Sequence, residues 1–334
     1  MPGSPLTNIL IDNHGRQMTY LRLAVTDRCN LRCHYCMPEE GIQYTAQSNL
    51  LSYEEMVRLV KLLSLYGVNK LRITGGEPFL RKDLMSFIKV ISSIDELSVH
   101  ITSNGTLIRP HLKRLHELGI ASINLSLDSL DHDRFQKITR RDNLTEVISA
   151  LHEMLALQIP VKINMVVMNG TNIQDIAPMI ALTRDNSISV RFLEEMPFNG
   201  SGIHADHGTW DHRRILDHLR SLHPNLITLP KTGQTAELYK VPGYRGTVGI
   251  IASYSRTFCG TCDRLRITPL GDLKTCLYDN GVMSLRDLMR QGASDMELIH
   301  AIQSAINHRA ADGWEAEKRR LNVPVSESMA TIGG

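Results

Sequence analysis

The sequence predicts an α/β protein, a parallel barrel-like sheet followed by a smaller α+β region, and three observations carry the prediction. Short β-rich runs alternate with amphipathic helical stretches from Leu21 to about Leu222, which implies a parallel sheet, barrel-like or doubly wound. Each early strand candidate has one apolar and one polar face, unlike the near-continuous apolar run of a parallel strand buried on both sides. The six cysteines fall into two triplets, Cys29/Cys33/Cys36 just after the first strand and Cys259/Cys262/Cys276 far downstream, with none between.

The elements follow in order. The strand candidate Leu21–Val25 is followed by the helix Ser52–Tyr66, which opens on a Ser52…Glu55 capping box. Then come strand Lys70–Thr74, helix Lys82–Ser93, strand Ser98–Thr102, helix Pro110–Leu118 and strand Ser122–Ser126. Helix Leu144–Leu157, strand Val161–Val167, helix Ile173–Thr183 and strand Ser189–Leu193 complete a six-strand series within residues 1–230. Pro197–Thr209 reads as a loop and Pro230–Thr235 as a linker. Residues 231–334 hold β-like runs Leu238–Val241, Thr247–Ala252, Leu265–Thr268 and Leu273–Cys276, and helices near Leu285–Arg290 and Asp295–Ala310. His204, His207 and His212 are spaced loosely enough for a metal, but a solvated loop is the stronger reading.

Side chains on a strand alternate faces, so each strand can be sorted. Arg22, Ala24 and Thr26 oppose Leu21, Leu23 and Val25; Lys70, Arg72 and Thr74 oppose Leu71 and Ile73. His100 and Thr102 oppose Val99 and Ile101; Asn124, Ser126 and Asp128 oppose Leu125 and Leu127. Lys162 and Asn164 oppose Val161, Ile163 and Met165. The expected arrangement is a barrel with helices outside and a polar, cationic chamber inside. An open sheet with one wet face would need every crossover helix on one side. Arg22, Lys70, Arg72 and Lys162 then share one space, where Asp128 and Glu194 are expected to pair with some of them. The surplus positive charge predicts a polyanionic ligand such as several phosphates.

Composition narrows the class. The chain has 334 residues, 42% hydrophobic and 22% charged, as in a soluble globular protein. A net charge of +2 gives no global footprint for nucleic acid. The start, Met1-Pro2-Gly3-Ser4-Pro5-Leu6, lacks the regions of a signal peptide, and no apolar run is long enough to span a bilayer. The expectation is a cytoplasmic protein without a membrane or nucleic-acid partner, whose reduced cysteines serve metals more readily than disulfides.

Cys29, Cys33 and Cys36 form a C-x-x-x-C-x-x-C run. Three thiolates at this spacing can hold three irons of a cubic cluster and leave the fourth iron open to a ligand. A Cys3His zinc site using His34, or a disulfide with a spare thiol, also fits the triplet taken alone. Gly75-Gly76-Glu77-Pro78 follows the second strand at its C-terminal end, where α/β barrels place active-site loops. Two glycines there let the backbone approach a ligand closely.

These two motifs in register resemble the radical S-adenosylmethionine (SAM) superfamily, and that resemblance sets the zinc reading aside. The likeness narrows to the GTP 3′,8-cyclase (MoaA-type) family through Leu21–Asn30, Arg72–Pro78, Thr102–Gly105, Asn124–Asp128, Val161–Asn164, Arg191–Phe198, Phe258–Arg266, Cys276 and the terminal Gly333-Gly334. Glu195 and Ser103 depart from residues common in relatives. The resemblance implies a partial (βα)6 TIM-like barrel with a C-terminal α+β region carrying a second cluster. Cys29, Cys33 and Cys36 would hold the SAM-binding 4Fe–4S cluster, with Tyr35, Gly76, Ser126 and Met196 contacting SAM. Cys259, Cys262 and Cys276 would hold the second 4Fe–4S cluster. Arg22, Lys70, Arg72, Thr102, Lys162 and the segment Arg264, Leu265, Arg266 would bind GTP, Arg264 and Arg266 also aiding catalysis. The implied activity is conversion of GTP to 3′,8-cyclo-7,8-dihydro-GTP, the first step of molybdenum cofactor biosynthesis. Implied partners are a flavodoxin- or ferredoxin-like electron donor and cyclic pyranopterin monophosphate synthase, with the chain a monomer or homodimer. The alternative is another two-cluster radical SAM enzyme, such as a peptide-modifying maturase. The terminal Gly-Gly is expected to enter the active site.

Overall fold

The computed structural model of the chain describes residues 9–199, 210–230, 235–320 and 327–333. The expectations for His204, His207, most of the Pro197–Thr209 loop, most of the linker and Gly334 lie outside these residues. Six strand–helix steps come first: β1 (Tyr20–Ala24), α1 (Tyr53–Leu65), β2 (Lys70–Thr74), α2 (Leu84–Ile91), β3 (Ser98–Ser103), α3 (Leu112–Glu117), β4 (Ser122–Ser126), α4 (His132–Thr139), α5 (Leu144–Ala156), β5 (Val161–Val167), α6 (Ile176–Ala181), β6 (Ser189–Glu194) and α7 (His212–Leu222). The rest of the chain adds β7 (Ile227–Thr228), β8 (Glu237–Lys240), β9 (Thr247–Ile251), β10 (Arg264–Ile267), β11 (Asp272–Lys274), β12 (Met283–Ser284), α8 (Leu285–Arg290), α9 (Asp295–Ile306), α10 (Gly313–Lys318) and α11 (Met329–Ile332).

All twelve strands belong to one sheet, in the order β12-β11-β10-β1-β2-β3-β4-β5-β6-β9-β8-β7. Strands β1 to β6 are parallel neighbours, and the C-terminal region extends the series at both flanks: β10 pairs parallel with β1, and β9 parallel with β6. The later residues therefore build walls of the same sheet. Arg72 and Arg191 stand four strands apart, about 19 Å on a flat sheet. Their charges nevertheless act on one another, as do those of Arg72 and Lys162, so the sheet curls around its polar face. The outward face is apolar: Leu21, Leu71, Ile101, Ile123, Ile163 and Phe192 join Leu59, Ile88, Leu112, Val147 and Met179 of the helices in one continuous core. A smaller cluster of Phe198, Tyr278, Ala310, Ala316 and Ile332 ties the C-terminal turn to the second cysteine region.

Strands β2, β4 and β5 match their expected bounds, and α1 has the expected capping box at Ser52 and Glu55. Other ends move for local reasons. Asp83, at φ +60°, delays α2, and three-residue 3-10 turns precede α3 and α6. The sequence reading did not foresee α4, of whose eight residues only Phe135, Ile138 and Thr139 are buried. Among the described residues no helix is long and apolar enough to cross a membrane.

Candidate active site

The first triplet sits in the loop after β1, and three neighbours shape that loop. The end of α4 receives it through Arg32 N to Thr139 O (2.9 Å) and His34 N to Ile138 O (3.2 Å), while Arg140 Nη1 donates to the Arg32 carbonyl (2.8 Å). From the chain end, Ser328 Oγ donates to the Cys36 carbonyl (2.6 Å). The Gly-Gly turn closes the third side: Gly76 N donates to Thr26 O (2.9 Å) and Glu77 N to Arg28 O (2.8 Å). A Cβ at position 76 would strike the Arg28 carbonyl and press on Cys29, which is why glycine stands there.

Glu77 is buried, and burial pushes its carboxyl up to about 7 although three donors oppose the rise: Asn104 N (2.7 Å), Phe79 N (3.2 Å) and Ser103 Oγ (3.0 Å). The Ser103 hydroxyl is thus one of the three donors that hold the Glu77 carboxyl. Asn104, held this way, turns its amide toward Asn30 (2.9 Å) and the Cys29 sulfur (3.8 Å). Burial raises all three thiols, Cys29 to about 11; Cys33 also feels both other thiols of the triplet, and Cys36 feels Cys29. Three free thiols thus stand on one loop, the donor set a cluster with one open iron requires. Among the described residues no three histidine, cysteine or carboxylate side chains stand close enough to share a single ion.

The register of the sheet lines up the cations. One rung runs Arg264–Tyr20–Lys70, and the next runs Arg266–Arg22–Arg72–His100. Two further rungs bring in Thr102, Asn124 and Lys162, then Ser126, Asn164 and Arg191. Burial and neighbouring like charges lower Arg22 to about 9, Arg191 and Arg266 to about 10, and Lys162 to about 8. His100 falls to about 3 for the same two reasons, so it is neutral; its Nδ1 lies 2.7 Å from Ser122 Oγ. Arg72 binds Tyr20 Oη (2.6 Å) and the Ile101 carbonyl (3.1 Å), and reaches Thr102 Oγ1 (3.4 Å). Lys70 Nζ lies 4.5 Å from the centroid of the Tyr20 ring. Among the described residues, buried acceptors Asn124 Oδ1 and Asn164 Oδ1 have no hydrogen-bond partner.

Two expectations are corrected. Asp128 does not pair with the cations: it accepts from Tyr35 Oη (2.7 Å) and Val166 N (2.8 Å), because it lies beyond the end of β4, at the mouth of the barrel. Glu194 shares the parity of Phe192 and faces away from the chamber, accepting from His212 N (2.6 Å), Tyr254 N (2.8 Å) and Ser255 N (2.6 Å). Tyr20 supplies the countercharge instead. Burial would raise its phenol, but Arg72, Arg22 and Arg264 override that and bring it down to about 7. Tyr20 and Arg191 are the chamber residues that the sequence reading did not name as site residues. Tyr20 shares the parity of Arg22, and Arg191 pairs in register with Asn164, an expected member of the polar face.

The second triplet adjoins the same chamber. Cys259 and Cys262 flank a 3-10 turn, and Cys276 is held by its N–H on Asp279 Oδ2 (2.8 Å). Burial raises Cys259 and takes Cys276 to about 11; Cys259 feels Cys262, and Cys276 feels both other thiols. Cys262 is different: burial opposes ionisation, yet Arg264, Arg309 and Arg266 bring its thiol below the ordinary range. Arg266, one rung-mate of Arg22, feels both Cys262 and Cys276 and donates to the Gly333 carbonyl (2.7 Å), so the C-terminal turn reaches the chamber wall. Arg264 binds Thr235 Oγ1 and lies over Phe258. Leu265 points outward into the apolar core, leaving only its backbone on offer to a ligand. Ser126 ends β4, and Met196 packs against the Phe198–Tyr278 cluster.

An open-ended parallel barrel with three thiols beside a Gly-Gly turn defines a radical SAM protein. Residues 23–183 match the family described as Radical SAM superfamily, and residues 188–313 match Molybdenum Cofactor Synthesis C. The chain is 40% identical over 336 residues to the GTP 3′,8-cyclase of Desulforamulus reducens, covering 97% of this chain and 100% of the relative. It is 38% identical over 317 residues to the mitochondrial GTP 3′,8-cyclase of Arabidopsis thaliana, covering 92% and 80%. The chain belongs to the GTP 3′,8-cyclase family. It spans about half the length of other curated relatives: it is 42% identical over 315 residues to molybdenum cofactor biosynthesis protein 1 of Dictyostelium discoideum, covering 91% of this chain and 49% of that one. Among solved structures, Streptococcus suis SuiB superposes with a TM-score of 0.60 at 13% identity over 94% of this chain and 77% of that one, a likeness of fold.

Proposed function

We propose that this chain is a GTP 3′,8-cyclase that acts in the first step of molybdenum cofactor biosynthesis. The observation that carries the reading is the cation floor between the two thiol triplets, where Arg266 touches both worlds: it shares a rung with Arg22 and Arg72 and feels Cys262 and Cys276. Residues 1–230 hold the radical-forming machinery and residues 231–334 the second cluster. Cys29, Cys33 and Cys36 hold a 4Fe–4S cluster that leaves one iron for SAM, with Tyr35, Gly76, Ser126 and Met196 beside it. Cys259, Cys262 and Cys276 hold the second. Bound there, the cluster and SAM would supply one-electron chemistry able to abstract hydrogen, and the site's residues would direct it to C3′ of the GTP ribose.

The protein's own work is positioning, since hydrogen abstraction by a radical needs no strong acid or base. Arg22, Lys70, Arg72, Lys162 and Arg191 grip the triphosphate, displacing the electrostatic hold they have on Tyr20. Thr102 and the Arg264–Arg266 segment orient the nucleoside, and Arg264 and Arg266 stabilise negative charge on the reduced product. A peptide substrate gives no reason for so many convergent cations. The reading includes a flavodoxin- or ferredoxin-like donor, delivery to cyclic pyranopterin monophosphate synthase, and a cytoplasmic monomer or homodimer. The test is anaerobic: the reduced, reconstituted protein with SAM and GTP should yield 5′-deoxyadenosine and a cyclised GTP. Equal 5′-deoxyadenosine without GTP, and no GTP consumed, contradicts the assignment.

A further inference from the structure

We propose that Arg309 is a positioning residue for the second cluster, its guanidinium setting how readily that cluster accepts an electron. The inference rests on the reading that Cys259, Cys262 and Cys276 are cluster ligands. Arg309 is 3% exposed, and its Nη2 lies 3.2 Å from the Cys262 sulfur. Its other nitrogen, Nη1, lies 2.8 Å from Met18 Sδ and 3.7 Å from Asp12 Oδ2. Asp12 is already committed: it accepts from Arg16 Nε (2.6 Å) and from the backbone N–H groups of His14 and Arg16 (both 2.9 Å). Arg309 is therefore only weakly compensated, and the nearest group that can use its charge is the thiolate sulfur.

The surrounding chain is built to hold this geometry. Arg309 N donates to Ile306 O (3.1 Å) at the end of α9, and its carbonyl meets His14 Nε2 (3.1 Å). Arg16 reaches the carbonyls of Cys259 (3.1 Å), Ala310 (3.0 Å) and Ala311 (2.8 Å), so Asp12–Arg16 straps the segment after α9 onto the cysteine turn. Arg309 meets the Cys262 sulfur from the α9 side, away from the rung that carries Arg264. Arg264 belongs to the substrate chamber; Arg309 does not touch it. A hydrogen bond and a positive charge at a ligand sulfur favour the more negative, reduced cluster, and so raise its potential.

The experiment is an EPR-monitored redox titration of the full chain, reconstituted anaerobically, as wild type and as Arg309→Met, Arg309→Gln and Arg309→Lys. Loss of the charge in Met or Gln should shift the second cluster's reduction equilibrium about tenfold toward the oxidised form, a fall of about 59 mV for one electron. Lys should recover most of that shift, and the first cluster should keep its potential in all three. Where Met fails to retain full iron, Gln decides. An unchanged second-cluster potential in a charge-free variant with full iron overturns the role of Arg309. If the wild type binds one cluster, and Cys259→Ser leaves its iron unchanged, the underlying reading of the triplet is wrong and the proposal falls with it.

Discussion

Tyr20 is the residue on which the electrostatics of the chamber turn. Its folded pKa of about 7 lies below the usual phenol value near 10. The ionised ring therefore adds stability that is absent below pH 7, grows through the interval and is complete only near pH 10. Phenolate absorbance should rise with a midpoint near pH 7 in the free protein, vanish in Tyr20→Phe, and move upward when a triphosphate takes over the cations. A midpoint near 10 without ligand would count against a cation cluster at this site. Arg191 tests the same cluster from the far wall. Arg191→Met should raise the melting temperature of the free protein by relieving like-charge repulsion. It should also weaken GTP binding about tenfold to a hundredfold, since hydrogen bonds to charged groups contribute about 1.5–3 kcal/mol. At this scale much was legible, because parity alone placed Arg22, Lys70, Arg72 and Lys162 in one space. Parity cannot say where a strand ends or which way the chain turns next, and so Asp128 and Glu194 were misassigned as partners.

Among the elements, the Gly75–Pro78 turn and the end of α4 decide whether the first thiol triplet is formed. Gly76→Ala forces a methyl into the Arg28 carbonyl and should cost about 1–3 kcal/mol of stability, as overpacking does, or push the cysteine loop aside. Thermal unfolding together with iron content distinguishes the two outcomes, and neither change in that variant would remove the turn from the account. Glu77→Gln replaces an acceptor with a donor facing Asn104 N, leaving a buried N–H without its partner. It should lower stability by about 1–3 kcal/mol, measured by chemical unfolding. The Gly-Gly-Glu-Pro turn stood out in the sequence because it follows a strand directly. Helix α4 did not, since its short apolar stripe of Phe135 and Ile138 is interrupted by charged and polar residues, though it holds the backbone of Arg32 and His34.

Across the whole molecule, the C-terminal region supplies structure to the barrel as well as the second triplet. Strand β10 pairs with β1 and carries Arg264 and Arg266 into register with Tyr20 and Arg22. The alternation of strands and helices made the first six strands readable, but pairing between residues more than two hundred positions apart leaves no local pattern. Leu265 shows the consequence: the segment was expected to meet substrate, and the register turns its middle side chain into the core. We propose that this shared wall would hold the ribose of GTP against a radical formed beside Cys29, Cys33 and Cys36. The most direct test is to supply GTP deuterated at C3′ and analyse the 5′-deoxyadenosine by mass spectrometry. Transfer of one deuterium per 5′-deoxyadenosine is predicted; unlabelled 5′-deoxyadenosine, with the label retained in GTP, would contradict it.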